Sequence, residues 1–327
     1  MRYLVTGATG FIGGGLAREL IKRGHQVVTV ARSPDKAGDL AALGVEIHKG
    51  DITDKDSLRA PMTGVDGLFH VAGWYKVGAR DTSMAYDINV NGTRNALEVM
   101  RELGIPKGVY TSTLTIYGDT HGLVVDETTP QPREFDVEYD RTKSLAHFDV
   151  ALPMMREGLP LVIVMPGLVY GPGDTSIMRQ SFLMYLQRKL PVVSTTAAYT
   201  WAHVDDIVEG HVLAMEKGMP GESYIIGGEV RSLVDALAIA EKVTGVPVSG
   251  IRLGALPLSI MTGIMRVVER IVSVPETMAS ETLRSINSTY TGSNAKARRE
   301  LGYDPRPLEV GLRETLTHEM HLLGMNK

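Results

Sequence analysis

Cysteine is absent from this 327-residue chain. That excludes disulfides, thiolate nucleophiles and cysteine-ligated metals, and it suits a reducing cytoplasm. Long hydrophobic runs are also missing: none reaches the ~20 residues a membrane-spanning helix needs. Met1-Arg-Tyr-Leu-Val enters a strand-like stretch at once, so a cytoplasmic chain without signal peptide or membrane contact is expected. Neither charge sign dominates, with 34 Lys and Arg against 38 Asp and Glu. The resulting net charge of −4, with no basic stripe, argues against a nucleic-acid partner. The nine histidines lack metal-ligand spacing. His318 and His321, three apart, read as one solvated helix face, and no metal is expected.

What remains is the composition of an ordinary globular protein, long enough for one or two domains. Short apolar runs at Tyr3–Val5, Gln26–Val30, Val45–His48, Gly67–Val71, Gly108–Ser112 and Leu161–Met165 alternate with amphipathic stretches, the longest at Thr82–Leu103 and Tyr139–Glu157. Uninterrupted apolar strands separated by helices predict an α/β fold, a doubly wound parallel Rossmann sheet buried on both faces. Pro153 should kink or end the second long helix about a turn early. After Pro166 the pattern changes to the turn-rich Gly167–Asp174 and then to mainly helical segments, with short strands expected at Pro191–Ser194 and Ser223–Ile226. The expected division is a dinucleotide-binding domain over 1–166 plus about 201–228, and a smaller, mainly helical substrate domain over about 167–200 and 229–327.

Gly7-Ala-Thr9-Gly10-Phe11-Ile12-Gly13 follows the first strand and opens a helix. Glycines at this spacing permit a tight turn and let the backbone approach a pyrophosphate, while the helix amino terminus offers free N–H groups and a positive dipole end. The second strand ends at Arg32 and Ser33, where an NAD site places a carboxylate for the ribose 2′-hydroxyl. A guanidinium pairs with a phosphate and stacks on adenine, so these residues point to NADP rather than NAD. Asp51 and Ile52 follow strand three, where a carboxylate can accept from the adenine amino group. Val71-Ala72-Gly73 ends strand four, where small residues let backbone pass close to a cofactor.

Tyr139-Asp-Arg-Thr-Lys143 lies downstream of the strand-like run ending Thr111-Ser112-Thr113. A spacing of four places phenol and ammonium on one helix face. A phenol with its ordinary pKa near ~10 is a weak acid–base group at neutral pH, and a neighbouring ammonium is expected to bring it toward the working range. A hydroxyl from Thr113, or Ser112 in reserve, would hold the substrate oxygen. Tyr185-Leu-Gln-Arg-Lys189 repeats the spacing but follows no such strand and runs directly into Leu190-Pro191.

Taken with Gly50-Asp51, His70–Gly73, Asn89-Val-Asn-Gly-Thr93, Tyr117-Gly118, Tyr170-Gly-Pro-Gly-Asp174 and His203-Val-Asp-Asp206, these motifs resemble the extended short-chain dehydrogenase/reductase family over about two thirds of the chain. The carboxyl half is most similar to its dihydroflavonol reductase and hydroxysteroid dehydrogenase branch. The resemblance implies that Tyr139 is the acid–base and that Lys143 activates it and binds the nicotinamide ribose. It aligns Thr113 with the family's serine and Asn89 with a helix asparagine near the active centre, where a structural role is an equal alternative. It also implies cofactor contacts from Thr111, Pro166, Gly167 and Val169. A homodimer built on the two long helices is implied as well, to which Ala85, Ile88, Ala96, Val99 and Leu103 would contribute apolar positions.

The candidate substrate walls are Trp74, Tyr75, Met84, Tyr170, Ile177, Met178 and Phe182, together with the amphipathic stretch Leu256–Val272, which contains Arg266, Glu269 and Arg270 and reads as a lid or packing helix. The strand before the Tyr-Gly-Pro turn is wholly apolar, which disfavours an activated sugar, although Arg179, Arg188, Arg252 and Arg284 remain available for a second pyrophosphate. Three readings follow. The first is an NADP-dependent reductase or dehydrogenase of a small, fairly apolar ketone or secondary alcohol. The second is a nucleotide-sugar epimerase or dehydratase that retains its cofactor, and the third a non-catalytic NADP-binding sensor.

Overall fold

Strand β6 (Leu161–Pro166) shows most directly how this sequence builds a sheet with two covered faces. Its alternate residues Leu161, Ile163 and Met165 enter one hydrophobic core, whereas Val162 and Val164 enter another on the opposite side, as the period of two requires. The computed structural model describes residues 1–325 apart from 77, 78, 80, 133, 270, 273 and 275–278. In it, β6 is one of seven parallel strands. The others are β1 (Arg2–Thr6), β2 (Gln26–Ala31), β3 (Glu46–Lys49), β4 (Gly67–His70), β5 (Gly108–Thr111) and the edge strand Ser223–Ile226. Their order across the sheet is Ser223–Ile226, β6, β5, β4, β1, β2, β3. This is the doubly wound α/β arrangement expected. The chain leaves β1 toward β3 and then returns to β4 on the other side of β1. The loops after β1 and β4 therefore diverge and open a crevice at the carboxyl ends of the strands.

Two long helices lie against β4 and β5, and each contains a π turn. The first runs Ser83–Glu102 with its π turn at Asp87–Asn91. The second runs Glu138–Arg156 with its π turn at Ala146–Ala151. Of the two outcomes expected at Pro153, a kink or an end, the helix does not end there but continues to Arg156. Pro153 stands two residues beyond the π turn, whose wider hydrogen-bond register accommodates a residue with no N–H to donate.

The expectation for the carboxyl half needs correction. Leu168–Tyr170 lies within the stretch read as turns, yet it is a strand, and it joins Ala198–His203, Val230–Ser232 and Thr289–Tyr290 in a second sheet. Val192–Ser194 pairs in parallel with Ile251–Leu253. Around them a third core gathers Tyr170, Phe182, Tyr185, Trp201 and Leu312. After Ala198–His203 the chain crosses back. Helix Val204–Lys217 packs on helix Phe11–Lys22, with Arg23 ion-paired to Glu209 and Glu216, and Ser223–Ile226 then joins the main sheet. Among the described residues, no helix is long and apolar enough to cross a membrane.

Candidate active site

Thr6, the last residue of β1, organises the crevice from below. Its Oγ1 accepts from the N–H groups of Val71 and Ala72, both at 3.1 Å, and lies 2.9 Å from His70 Nδ1. With both lone pairs taken, Thr6 must give its proton to Nδ1. His70 is then the Nε2–H tautomer and donates to Thr93 Oγ1 at 3.1 Å. Burial pushes this imidazole down to about 3, so it remains neutral. One hydroxyl and one neutral ring thus tie the ends of β1 and β4 to the first long helix.

The glycine loop fits a pyrophosphate. Gly7 has a φ of +72°, and a Cβ there would stand 2.8 Å from Ala72 Cα. A Cβ at Gly13 would meet the Gly7 carbonyl oxygen at 2.2 Å. Only hydrogens allow the loop to close this tightly. Helix Phe11–Lys22 starts from an extended Gly10 with no side-chain cap, so its first amides and positive dipole end face the cleft. Thr9, Gly10, Phe11, Ile12 and Gly13 line a cleft of about 740 Å³. Arg32, Asp51, Ile52, Val71, Ala72, Gly73, Thr111, Pro166, Gly167 and Val169 line it too. Asp51 Oδ1 is held by the N–H and hydroxyl of Thr53, each at 2.9 Å. Arg32 is exposed and has no ion pair among the described residues. The chain turns after β2, and Ser33, next to Arg32, is exposed outside the cleft lining.

Farther along the cleft stand Thr113, Tyr139 and Lys143. Tyr139 is half-buried, its ring meeting Tyr75 edge-on with centroids 4.9 Å apart. The Lys143 ammonium donates to the Thr111 carbonyl at 2.8 Å and to the Tyr110 hydroxyl at 3.2 Å, and it sits 4.8 Å from the centre of the Tyr110 ring. The expected depression of the phenol by the ammonium is not what dominates. Burial pushes Tyr139 up, with Tyr75 adding to the rise and the Thr113 hydroxyl opposing it through a hydrogen bond. Burial also pushes Lys143 down to about 7. Both shifts disfavour the charged forms, leaving Tyr139 a protonated hydroxyl and hence a proton donor. Ser112 lines the cleft, but its Oγ is 2.9 Å from Nδ1 of His147, a ring kept neutral by burial. Thr113, free of that commitment, is the better placed hydroxyl.

Asn89 is buried in the first π turn and bridges Trp74 and Thr142, which is the structural alternative weighed for it. The second Tyr-x-x-x-Lys pair is divided by the fold. The Tyr185 hydroxyl donates to the Val246 carbonyl at 2.7 Å and lies 2.8 Å from Thr244 Oγ1, while Lys189 is exposed.

At the substrate end, Trp74, Tyr75, Ile177, Met178 and Phe182 line the cleft. Met84 does not. It is 45% exposed on the outward face of its helix, and Ile88, one turn on, lines the cleft instead. Tyr170 is 1% exposed, locked in the third core, where a Cβ on Gly311 would meet its hydroxyl at 2.3 Å. No described residue of Leu256–Val272 lines the cleft. Helix Ala255–Val268 packs on Ser280–Ser285 and leaves Leu256, Ile260, Ile264 and Val267 exposed; Arg270 lies outside the described residues. His318 and His321 are exposed on helix Leu308–Leu322. His203, Asp205 and Glu314 do cluster, but the Arg306 guanidinium already pairs with both carboxylates.

Sequence reasoning missed Tyr199, Trp201 and Leu237, which line the cleft from elements far apart in the chain. It also missed Asp140 and Tyr290. Asp140 is buried, accepts from the Tyr290 hydroxyl at 3.0 Å, and is pushed up to about 7 by burial, with Glu281 and Asp136 adding to the rise and hydrogen bonds from Thr115 and Tyr290 opposing it. Its position one residue after Tyr139 is not on the tyrosine's helix face, so spacing gave no signal.

The model for the NAD dependent epimerase/dehydratase family matches residues 3–227. Sterol demethylase protein B of Methylococcus capsulatus is 32% identical over 313 residues, covering 93% of this chain and 94% of its own length. A 3 beta-hydroxysteroid dehydrogenase/Delta 5→4-isomerase of Mycobacterium tuberculosis is 31% identical over 325 residues, covering 93% and 86%. The crystal structure of gox2253 superposes with a TM-score of 0.86 at 33% identity, covering 99% of both chains. A glycine cradle at the switch point, a cleft-lining Tyr139 and Lys143, and these likenesses along nearly the whole length have one reading: the chain belongs to the NAD dependent epimerase/dehydratase family, within the extended short-chain dehydrogenases/reductases.

Proposed function

We propose that this protein is an NADP-dependent oxidoreductase that reduces a ketone, or oxidises the matching secondary alcohol, on a small, fairly apolar substrate. The distribution of positive charge in the cleft carries this reading. Among the described residues, the cations lining it are Arg32, Lys76 and Lys143. Arg32 stands at the adenosine end, Lys143 one helical turn after Tyr139 and bonded to Thr111 and Tyr110, and Lys76 is exposed on the loop after β4. Of the arginines that could have met a second pyrophosphate, Arg179 is paired with buried Glu319 at 2.7 Å and Arg284 with Asp136. Arg188 and Arg252 are exposed outside the lining. The substrate end is walled by Phe182, Tyr199, Trp201 and Leu237, and burying a ring there gains on the order of 2–3 kcal/mol. The sterol and hydroxysteroid names of two relatives are in keeping with a ring substrate.

When bound, the cofactor supplies or takes up the hydride. The chain's own residues manage the oxygen. Thr113 and Tyr139 grip the carbonyl, and Tyr139, held protonated by burial, gives its proton as the oxygen becomes an alkoxide. Lys143, fixed by Thr111 and Tyr110, supports the ribose and stabilises the phenolate that forms. Arg32 favours NADP through its 2′-phosphate.

A panel of alicyclic and aryl ketones and of nucleotide sugars, followed by NADPH absorbance and product chromatography, tests the reading. Ketone-dependent NADPH loss is expected. Sugar conversion without net NADPH loss, with the ketones inert, would replace it with a cofactor-retaining epimerase.

A further inference from the structure

The cleft does not stop at the chemistry but reaches into the third core, where its walls change character. Two helix faces border it there with the same spacing. Met178, Ser181, Phe182 and Tyr185 come from helix Ile177–Leu186, and Leu233, Ala236, Leu237 and Ala240 from helix Leu233–Thr244. Residues three, four and seven apart form one stripe, so each face runs for about 10 Å. The strand Val192–Ser194, packed on the second of these helices, borders the cleft as well. The polar side chains on these walls are committed elsewhere. The Ser181 hydroxyl donates to the Ile177 carbonyl of its own helix at 3.0 Å, and the Tyr185 hydroxyl donates to the Val246 carbonyl at 2.7 Å. Ser194 Oγ accepts from the N–H groups of Thr196 and Ala197, at 3.3 and 3.1 Å, and lies 3.2 Å from Thr196 Oγ1. Trp201, on strand Ala198–His203, gives its indole N–H to the Arg231 carbonyl at 3.1 Å. Tyr199 belongs to the other side, stacked on Tyr290, whose hydroxyl is bonded to Asp140.

We infer that this end of the cleft is a binding site for an unsubstituted hydrocarbon tail, and that the substrate is a ketone whose oxo carbon carries such a tail. This rests on the reading of the protein as a ketone reductase and adds what the carbonyl is attached to. The two ends of the cleft offer different chemistry. Thr113 and Tyr139 present hydroxyls to the substrate oxygen, whereas Ser181, Tyr185 and Trp201 have no proton left to donate at the far walls. A sugar, a phosphate or a hydroxylated chain placed there would exchange its hydrogen bonds with water for unpaired oxygens. A hydrocarbon has none to lose, and each methylene it withdraws from water raises affinity by about fourfold. Ala236 and Ala240 set the room available, since their short side chains between Leu233 and Leu237 leave the space a tail would fill. Ser181 does the same on the other helix.

Two measurements on the full chain test the tail site, one with turnover and one without. With NADPH and straight-chain methyl ketones from butanone to dodecanone, kcat/KM is expected to rise with each added methylene, by up to about fourfold, before it levels off. Ser181→Leu and Ala236→Leu fill the space from the two helices, and each should bring the plateau to a shorter ketone. Melting curves identify which of them folds as the parent does, and that variant carries the test. A kcat/KM indifferent to chain length in the parent, or a plateau unmoved in a folded variant, would overturn the inference. Without turnover, calorimetric titration of the NADPH-saturated protein with straight-chain alcohols from hexanol to decanol should give a Kd that falls with length. The diol with a hydroxyl at each end of the ten-carbon chain should bind at least about tenfold more weakly than decanol. Equal affinity for the alcohol and the diol, or a Kd indifferent to length, would also overturn it. A parent that reduces no ketone, yet binds the alcohols with this length dependence and loses it in Ser181→Leu, would defeat the reductase reading and leave the tail site standing. Ketone reduction without any length dependence would do the reverse.

Discussion

Asn89 and Trp74 are joined by two hydrogen bonds of opposite direction: the side-chain Oδ1 accepts from the Trp74 N–H at 2.7 Å, and Nδ2 donates to the Trp74 carbonyl at 3.2 Å. Nδ2 also donates to Thr142 Oγ1 at 2.9 Å, one turn from Tyr139. The loop after β4 is thereby hung on the helix that carries Tyr139. Asn89→Ala strands buried Trp74 backbone groups, so a loss of about 2–4 kcal/mol is expected in urea unfolding. KM for substrate should rise more than kcat falls, because the wall moves and the acid does not. Unaltered stability would mean the pairing is dispensable.

Replacing Tyr139 by Phe should abolish turnover and leave NADPH affinity within about threefold, roughly 0.7 kcal/mol. Lys143→Ala should weaken both. Tyr185→Phe should leave turnover nearly intact and lower stability by about 1–2 kcal/mol through the lost bond to Val246. Equal kinetic damage at positions 185 and 139 would reverse the assignment of the two motifs.

Lys143 should also make stability depend on pH. Its folded pKa of about 7 lies below its ordinary 10.5. Below pH 7 the ammonium is charged in both folded and unfolded chain, and the folded state carries the whole desolvation cost. Between 7 and 10.5 the unfolded chain binds more protons, so stability rises with pH. Lys143→Met should therefore stabilise the apo protein on the order of 2–4 kcal/mol near pH 6, with the gain fading toward pH 10.5. Melting curves across this range give the check; a constant gain would locate the effect in packing.

At the other end of the cleft, Arg32→Ala should erase a preference for NADPH over NADH of at least about tenfold, or roughly 1.4 kcal/mol. Fluorescence titration of both cofactors measures it, and equal affinities in the parent would remove the assignment.

The proposal of a homodimer through the two long helices has lost part of its sequence support. Ala85, Ala96 and Val99 are fully buried within the protomer, and Ile88 lines the cleft. Met84, Tyr86 and Leu103 remain exposed there. Light scattering at micromolar concentration should still give twice the 35.5 kDa chain mass; a monomer would end the proposal.

The doubly wound sheet was legible because its strands are short uninterrupted apolar runs between amphipathic helices, and the glycine loop because its residues are contiguous. The substrate end was not. Tyr199, Trp201 and Leu237 meet there only after the second sheet has formed, and strands such as Leu168–Tyr170 are too short to show a period. Met84 and Tyr170 were misplaced for related reasons: residue type marks a side chain as apolar, whereas the helix phase and the packing of Gly311 decide which way it points. The sign of the Tyr139 shift also depended on burial, which the four-residue spacing does not report.

The π turns at Asp87–Asn91 and Ala146–Ala151 make two stretches of this chain tolerant of a one-residue loss. A π turn holds one residue more than the α turn it interrupts. Losing one residue inside Asp87–Asn91 would leave a regular α-helix with every hydrogen bond made and with the segments before and after it in nearly their present phase. The same loss in a regular turn of the helix would rotate those segments by about 100° against each other. A missing codon within the π turn should therefore cost only the contacts of the residue removed, whereas one in the turns after it should turn the inward face of the helix away from the core.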